Sequence, residues 1–177
     1  MRATSETFMI SEANKKEIDH WLTKYPKEQK RSAVIAALLL VQKQNGGWLS
    51  DAAMNAVADY LQLPHIAVYE VATFYDMYHL QPIGKHKISI CTNVSCMLMG
   101  SDKIVACAKQ RLGIGFGETT SNGLFTLQEM ECMAACGGAP MCQVDDEKYY
   151  ENLTEEKMLA LLDELANNKN ETGNHAT

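Results

Sequence analysis

Apolar residues recur at helical spacing through the first half of the chain and switch to strand spacing near its middle. Over Ser11 to Tyr25, Ile18, Trp21, Leu22 and Tyr25 fall at helical intervals before Pro26 interrupts. A second helix is predicted from Lys27 to Gln44. It opens just past the proline and closes on Asn45, Gly46 and Gly47, where glycine can take the left-handed conformation that stops a helix. Ser50 is suited to cap a third helix over Asp51 to Leu61, with Asp51 at its positive end, and Pro64 fits the first turn of a fourth running toward Met77. Four short helices joined by tight turns are expected to pack as a small bundle.

Beyond the turn-like stretch Gln81-Pro82-Ile83-Gly84 the period changes to two, and His86 to Cys91 alternates as a strand does. Ser101 to Leu112 carries Ile104, Val105, Ala108 and Leu112 on one helical face, ended by the glycines at 113, 115 and 117. Strands are predicted at Leu124 to Leu127, Met141 to Val144 and Lys148 to Tyr150. A last helix, from about Glu155 to Leu165, has Thr154 as cap, acidic residues in its first turn and a Leu153–Met158 staple. Strand, helix, three strands and helix describe a small α/β sandwich with a helical crossover after its first strand. The fold class is therefore α+β, with a helical domain over residues 1–82, an α/β domain over 83–166 and a polar tail, 167–177, read as disordered.

Composition narrows the function. The chain of 177 residues is 46% hydrophobic and 21% charged, a globular balance. Its longest apolar run, Ala33 to Val41, is nine residues, about half of the roughly 20 that a membrane-spanning helix needs. The first residues contain no apolar targeting segment, so a cytoplasmic protein without direct membrane insertion is expected. A net charge of −6 argues against nucleic acid as a partner, and the one basic cluster, Lys27, Lys30 and Arg31, reads as a solvated helix face or the rim of a protein contact.

The six cysteines all lie beyond residue 90, at 91, 96, 107, 132, 136 and 142. In a reducing compartment they are not a disulfide framework. Four of them form the pattern C-x4-C-x35-C-x3-C, each pair placed where a strand gives way to a loop, so that loops at one end of neighbouring strands would bring the sulfurs together. Cys91, Cys96, Cys132 and Cys136 thus constitute a candidate four-thiolate metal site. Spacing alone favours a [2Fe-2S] cluster, because the first pair has the C-x4-C opening of plant-type ferredoxins. It leaves open structural zinc, whose commonest knuckles are C-x2-C, and buried or catalytic thiols.

Gly137 and Gly138 would let backbone amides turn toward a cluster, and Met97, Leu98, Met99, Met133, Ala134 and Ala135 would keep water off it. Cys107 reads as a buried structural thiol. Cys142 does too, although its nearness to Cys136 makes it a substitute candidate. The glycines at 113, 115 and 117 follow a helix instead of opening one and are assigned to a turn. The five histidines stand in no catalytic or metal motif, and no catalytic residue is identified.

At this point the sequence resembles a known family, the thioredoxin-like [2Fe-2S] ferredoxins that serve as the small E subunit of bacterial NADH:quinone oxidoreductase, respiratory complex I. The likeness spans about residues 10 to 165. It rests on Lys30-Arg31-Ser32-Ala33-Val34, on Gln42 to Leu49 (QKQNGGWL), on Val68 to Tyr75 (VYEVATFY), on Cys91-Thr92-Asn93-Val94-Ser95-Cys96, on Gly117-Glu118-Thr119-Thr120, on Phe125-Thr126-Leu127 and on Cys132-Met133-Ala134-Ala135-Cys136-Gly137. The resemblance implies a thioredoxin-like second domain with one [2Fe-2S] cluster on Cys91, Cys96, Cys132 and Cys136. It also implies a helical part that docks on the F subunit, the flavoprotein holding FMN and the NADH site, with the iron-sulfur G subunit completing the electron-input module. The chain would be an electron-transfer subunit of an enzyme, with no complete active site of its own, in the peripheral arm of a membrane-bound complex. The same motifs would fit the diaphorase subunit of an NAD-linked hydrogenase or formate dehydrogenase. A zinc-stabilised adaptor would use the same cysteines without redox activity. Cys142 stands where the family leads one to expect an apolar residue other than cysteine.

Overall fold

The computed structural model describes residues 7–167, and the chain divides into two compact units between Pro82 and Ile83. The expected tail falls outside the described residues except for Asn167, which closes the last helix.

The first unit is helical. Its helices are α1 (Glu12–Leu22), α2 (Val34–Gln44), α3 (Asp51–Leu61) and α4 (His65–Phe74), with a 3-10 segment, Lys27–Ala33, before α2. Ser11 and Ser50 cap α1 and α3 by accepting the Asn14 and Ala53 N–H groups, each at 3.2 Å, so donors without a helical partner are satisfied. Ile18, Leu38, Val41, Leu49, Val57 and Leu61 meet in one core. Instead of the single helix predicted over Lys27–Gln44, a 3-10 segment kinked at Gln29 (φ −106°, ψ 36°) leads into α2 at Val34.

The fourth helix stops at Phe74, three residues short of the predicted end, where Tyr75 turns extended. Tertiary hydrogen bonds take over the chain there. The buried Gln42 amide donates to the Met77 carbonyl (3.0 Å) and accepts the His79 N–H (2.8 Å), and the Tyr78 hydroxyl donates to the Ile35 carbonyl (2.9 Å). Within the basic cluster, Lys30 donates to Gln62 (2.8 Å) and Arg31 pairs with Glu70, as on a solvated helix face.

The second unit is a five-stranded sheet with helices. Its elements are β1 (His86–Cys91), α5 (Val94–Leu98), α6 (Ser101–Leu112), β2 (Glu118–Thr119), β3 (Phe125–Met130), a 3-10 turn (Cys136–Gly138), β4 (Cys142–Val144), β5 (Lys148–Tyr150) and α7 (Glu155–Asn167). The strand order is β2-β3-β1-β4-β5, with β1 and β3 parallel and the other pairs antiparallel. Ile88 and Ile90 of β1, Leu127 of β3 and Val144 of β4 share a core with Ile104 of α6 and Leu162 of α7. The polar positions of β1 are buried as well. Lys87 is 2% exposed, pairs with Asp146 at 2.6 Å, and passes its backbone N–H to the Asp145 carboxylate at 2.8 Å. A buried ammonium is tolerable only with such a partner. β3 runs to Met130, three residues past the predicted strand, because it pairs with β1 along its whole length. Neither β2 nor α5 was legible from periodicity. Each is too short to show one.

Candidate metal centre

Parallel pairing brings the two cysteine segments to one end of the sheet. In the β1–β3 register Cys91 lies opposite Met130, so the chain leaves both strands on the same side, toward Cys96 from β1 and toward Cys132 from β3. Beyond Cys91, Asn93 accepts the Val94 N–H (2.8 Å) and starts α5, a single turn that places Cys96 facing inward. Beyond Met130 the segment doubles back at Ala134, a non-glycine residue in the left-handed region (φ 57°). The Ala134 N–H donates to the Cys132 Sγ at 3.4 Å.

Cys91 and Cys96 are buried, 4% and 2% exposed, in a small cluster with Met133, Ala139 and Met141. Cys132 and Cys136 are exposed. Burial pushes the Cys96 thiol above its ordinary value, a hydrogen bond with Cys91 and the charge of that thiolate add to the shift, and Cys136 contributes at longer reach. The Met141 backbone acts the other way. Two thiolates side by side in an apolar setting are costly without a compensating cation, which is what a metal centre supplies.

The donor set is all sulfur. Among the described residues no three His, Cys, Asp or Glu side chains are placed to hold a single metal ion. Two cysteine pairs satisfy a [2Fe-2S] core, two to each iron, and equally a single tetrahedral zinc, so the donor set by itself selects neither.

Several sequence expectations need correction. Met97, Leu98 and Met99 do not shield the thiols but face solvent at 47, 77 and 62% exposure, because α5 turns Cys96 inward and its other side outward; Ala134 too is exposed. Met133 alone of the expected shield is buried, and the Tyr149 hydroxyl holds its carbonyl at 3.2 Å. The Gly138 N–H is spent on the Ala135 carbonyl (3.0 Å), and neither Gly137 nor Gly138 has a positive φ. Gly138 is needed for close approach instead: a Cβ there would lie 2.6 Å from the Glu151 Cβ. The left-handed residue is Ala134, which no composition rule would have picked out.

The remaining cysteines belong elsewhere. Cys142 is fully buried on β4, opposite Ile90, within the apolar core shared with α6 and α7. Cys107 is half-buried on α6, not fully buried as expected, with its thiol 3.7 Å from the Glu155 carbonyl. Burial raises the Cys142 thiol from 9.0 to about 12. The folded protein then keeps this proton while the unfolded chain loses it above pH 9, so the contribution of Cys142 to stability is whole below pH 9 and falls as pH rises toward 12. Replacing it with alanine should flatten the loss of stability over that window by up to about 1.4 kcal/mol per pH unit. Urea unfolding of both proteins at pH 8 to 11 measures the difference, and parallel pH profiles would refute it.

A parallel β1–β3 pair with a helical crossover, antiparallel strands beyond, and two cysteine pairs at the strands' shared end define the class of thioredoxin-like iron-sulfur domains. The model of the thioredoxin-like [2Fe-2S] ferredoxin family matches residues 18–166, and the chain belongs to that family. Its relatives include the NADH-quinone oxidoreductase E subunit of Rickettsia felis, 46% identical over 163 residues, 92% of this chain and 97% of the relative. The protein of the same name from Rickettsia bellii is 45% identical over 167 residues, 94% and 99% of the two chains. The mitochondrial NADH dehydrogenase [ubiquinone] flavoprotein 2 of Dictyostelium discoideum is 43% identical over 92% of this chain, which spans 65% of that protein. Among solved structures, an NAD+-reducing [NiFe]-hydrogenase in its air-oxidised state matches with a TM-score of 0.64 and 17% identity, over 73% of this chain and 22% of the hydrogenase chain. That likeness shows a shared fold. Of the centres left open by cysteine spacing, the family's is the [2Fe-2S] cluster.

Proposed function

We propose that this chain is the electron-transfer subunit of an NADH:quinone oxidoreductase, holding its [2Fe-2S] cluster on Cys91, Cys96, Cys132 and Cys136 and exchanging electrons with the FMN of a neighbouring flavoprotein, the F subunit. The observation that carries this reading is the placement of four cysteines at the common end of parallel β1 and β3, in a chain that matches the E subunits of two such enzymes over nearly their full length. The iron-sulfur G subunit is the expected second partner, and the setting is the cytoplasmic, peripheral arm of a membrane-bound complex. No helix among the described residues is long and apolar enough to cross a membrane.

When bound, the cluster takes up and gives back one electron at a time. With four thiolates its charge is about −2 oxidised and about −3 reduced. The protein's own groups would hold that charge and keep water from its buried side. Cys91 and Cys96 would hold it from the buried side, Met133 and Met141 would exclude water there, and the Ala134 N–H, which reaches the Cys132 sulfur, would steady negative charge on it. No side chain needs to act as acid, base or nucleophile. In the helical unit, Ile66 and Phe74 project from α4 at 66% and 79% exposure, a feature that supports a docking role for this unit.

Anaerobic purification with iron, sulfide and zinc analysis and an EPR spectrum after dithionite reduction tests the reading. About two irons, two sulfides and a rhombic signal from the reduced protein are expected. Stoichiometric zinc without a reducible signal after attempted reconstitution would overturn it. Neighbouring genes for membrane subunits of a quinone module are expected, and a hydrogenase large subunit in their place would move the chain to an NAD-linked hydrogenase.

A further inference from the structure

Tyr149 and Tyr150 are neighbours on β5 and belong to opposite faces of the sheet. Tyr150 lies opposite Cys142 in the β4–β5 register and packs against the core shared with α6 and α7. Tyr149 lies opposite Gln143, which in turn pairs with Ser89 of β1, so it stands on the face away from those helices. From there its hydroxyl donates to the Met133 carbonyl at 3.2 Å, in the loop between Cys132 and Cys136. The ring is 46% exposed, so burial alone does not dictate where the hydroxyl goes.

That carbonyl is one half of the Met133–Ala134 peptide. The other half is the Ala134 N–H, which donates to the Cys132 Sγ at 3.4 Å. The peptide is trans, and a trans peptide holds its C=O and N–H on opposite sides of a rigid plane. Fixing the carbonyl at Tyr149 therefore fixes the direction of the N–H at the sulfur. The constraint is needed here, because Ala134 carries a Cβ into the left-handed region (φ 57°), a conformation that persists only where its surroundings impose it. The chain beyond Tyr149 runs on beside the same loop. The Asn152 N–H donates to the Gly138 carbonyl at 2.7 Å and the Leu153 N–H to the Pro140 carbonyl at 2.9 Å. These backbone bonds anchor the segment past Cys136, and Tyr149 reaches the part between the two cysteines.

A hydroxyl donating to an amide carbonyl polarises the amide and strengthens its N–H as a donor. An N–H aimed at a ligand sulfur stabilises negative charge there, and a [2Fe-2S] centre carries more of it after reduction, about −3 against about −2. We propose that Tyr149 is a positioning residue for the candidate cluster: through the Met133–Ala134 peptide it aims the Ala134 N–H at the Cys132 sulfur and so raises the reduction potential. The inference rests on the proposed function and adds to it a residue outside the cysteine motif that sets how readily the centre accepts an electron.

The test is a mediated redox titration of the full-length, cluster-loaded chain with dithionite as reductant, followed by the EPR signal of the reduced centre. Tyr149→Phe removes one oxygen and keeps the ring. It is expected to retain about two irons per chain and a rhombic signal. One-electron reduction should be disfavoured about threefold, a fall in midpoint of about 30 mV at 59 mV per tenfold. Tyr150→Phe removes the same group one residue further on, from the face that packs on the core, and is expected to leave the midpoint in place. Incorporating 3-fluorotyrosine at Tyr149 keeps the shape and makes the hydroxyl a stronger donor, so the midpoint should rise. That protein carries the test should Tyr149→Phe fail to load its cluster. A merely structural role would lower iron content or speed bleaching without moving the potential in opposite directions. An unmoved midpoint in whichever Tyr149 protein loads, or an equal shift in Tyr150→Phe, would overturn the role of Tyr149 while leaving the proposed function intact. An unsubstituted chain that assembles no reducible [2Fe-2S] centre would overturn that function and the positioning role with it.

Discussion

Replacing Cys96 with alanine in the full-length chain is expected to abolish cluster assembly. The iron content should drop from about two per chain to near zero, and the dithionite-reduced EPR signal should vanish. Cys96 is the most deeply placed of the four candidate ligands, 2% exposed and in the same small buried cluster as Cys91. Once Cys96 becomes alanine, no other thiol takes its place. Cys142 is held on β4 in the core shared with α6 and α7, and Cys107 lies on α6 beside α7. Cys107→Ala and Cys142→Ala are correspondingly expected to retain iron, sulfide and signal. Full iron content in Cys96→Ala would remove this residue from the ligand set, and loss of the cluster in Cys142→Ala with the fold retained would bring that thiol into it.

Truncating Ile88 to alanine is the second large effect. Ile88 is fully buried at the centre of the sheet, paired with Leu127 on one side and Val144 on the other, and packed in the core beneath α6 and α7. Removing its outer carbons costs their transfer free energy and leaves a cavity, together about 2–5 kcal/mol, whereas Ile88→Val should cost only about 0.5–1.5 kcal/mol. Urea unfolding of the loaded protein followed by far-UV circular dichroism should show the midpoint falling in that order. The same strand ends in Cys91 and aligns β3 for Cys132, so air bleaching of the cluster's visible absorption should accelerate in Ile88→Ala. An unchanged midpoint would mean that this core collapses around the gap and that the sheet tolerates it.

Much of the molecule was legible before any coordinate. The limits of α3 and α6 and the strand at 86–91 follow from local signals: a serine cap, glycine stops and a period of two. The four cysteines stand out for the same reason, since residue type and spacing are properties of the chain. Errors fall where distant residues decide. Gln42 and Tyr78 end α4 early by taking the chain after it into tertiary hydrogen bonds, and β3 lengthens because β1 offers it a partner. Lys87 and Ser89 sit at polar positions of an alternating strand, yet both are buried, and the approach of Asp146 from a distant turn helps accommodate an ammonium there.

The sequence by itself determined most of the helices and strands, β2 and α5 excepted, and that the cysteines divide into two pairs able to offer sulfur ligation. These are consequences of local backbone preference and side-chain type, which do not depend on where the rest of the chain lies. Tertiary structure alone decided the parallel register that carries both pairs off the sheet at one end, as their strand-to-loop positions lead one to expect, and that Met97, Leu98 and Met99 face outward, while Cys142 is buried in agreement with its sequence reading. Those outcomes depend on parallel register, on the inward placement of Cys96 on a single helical turn and on a left-handed Ala134. Each is set by contacts between residues far apart in the chain, and no local pattern encodes them.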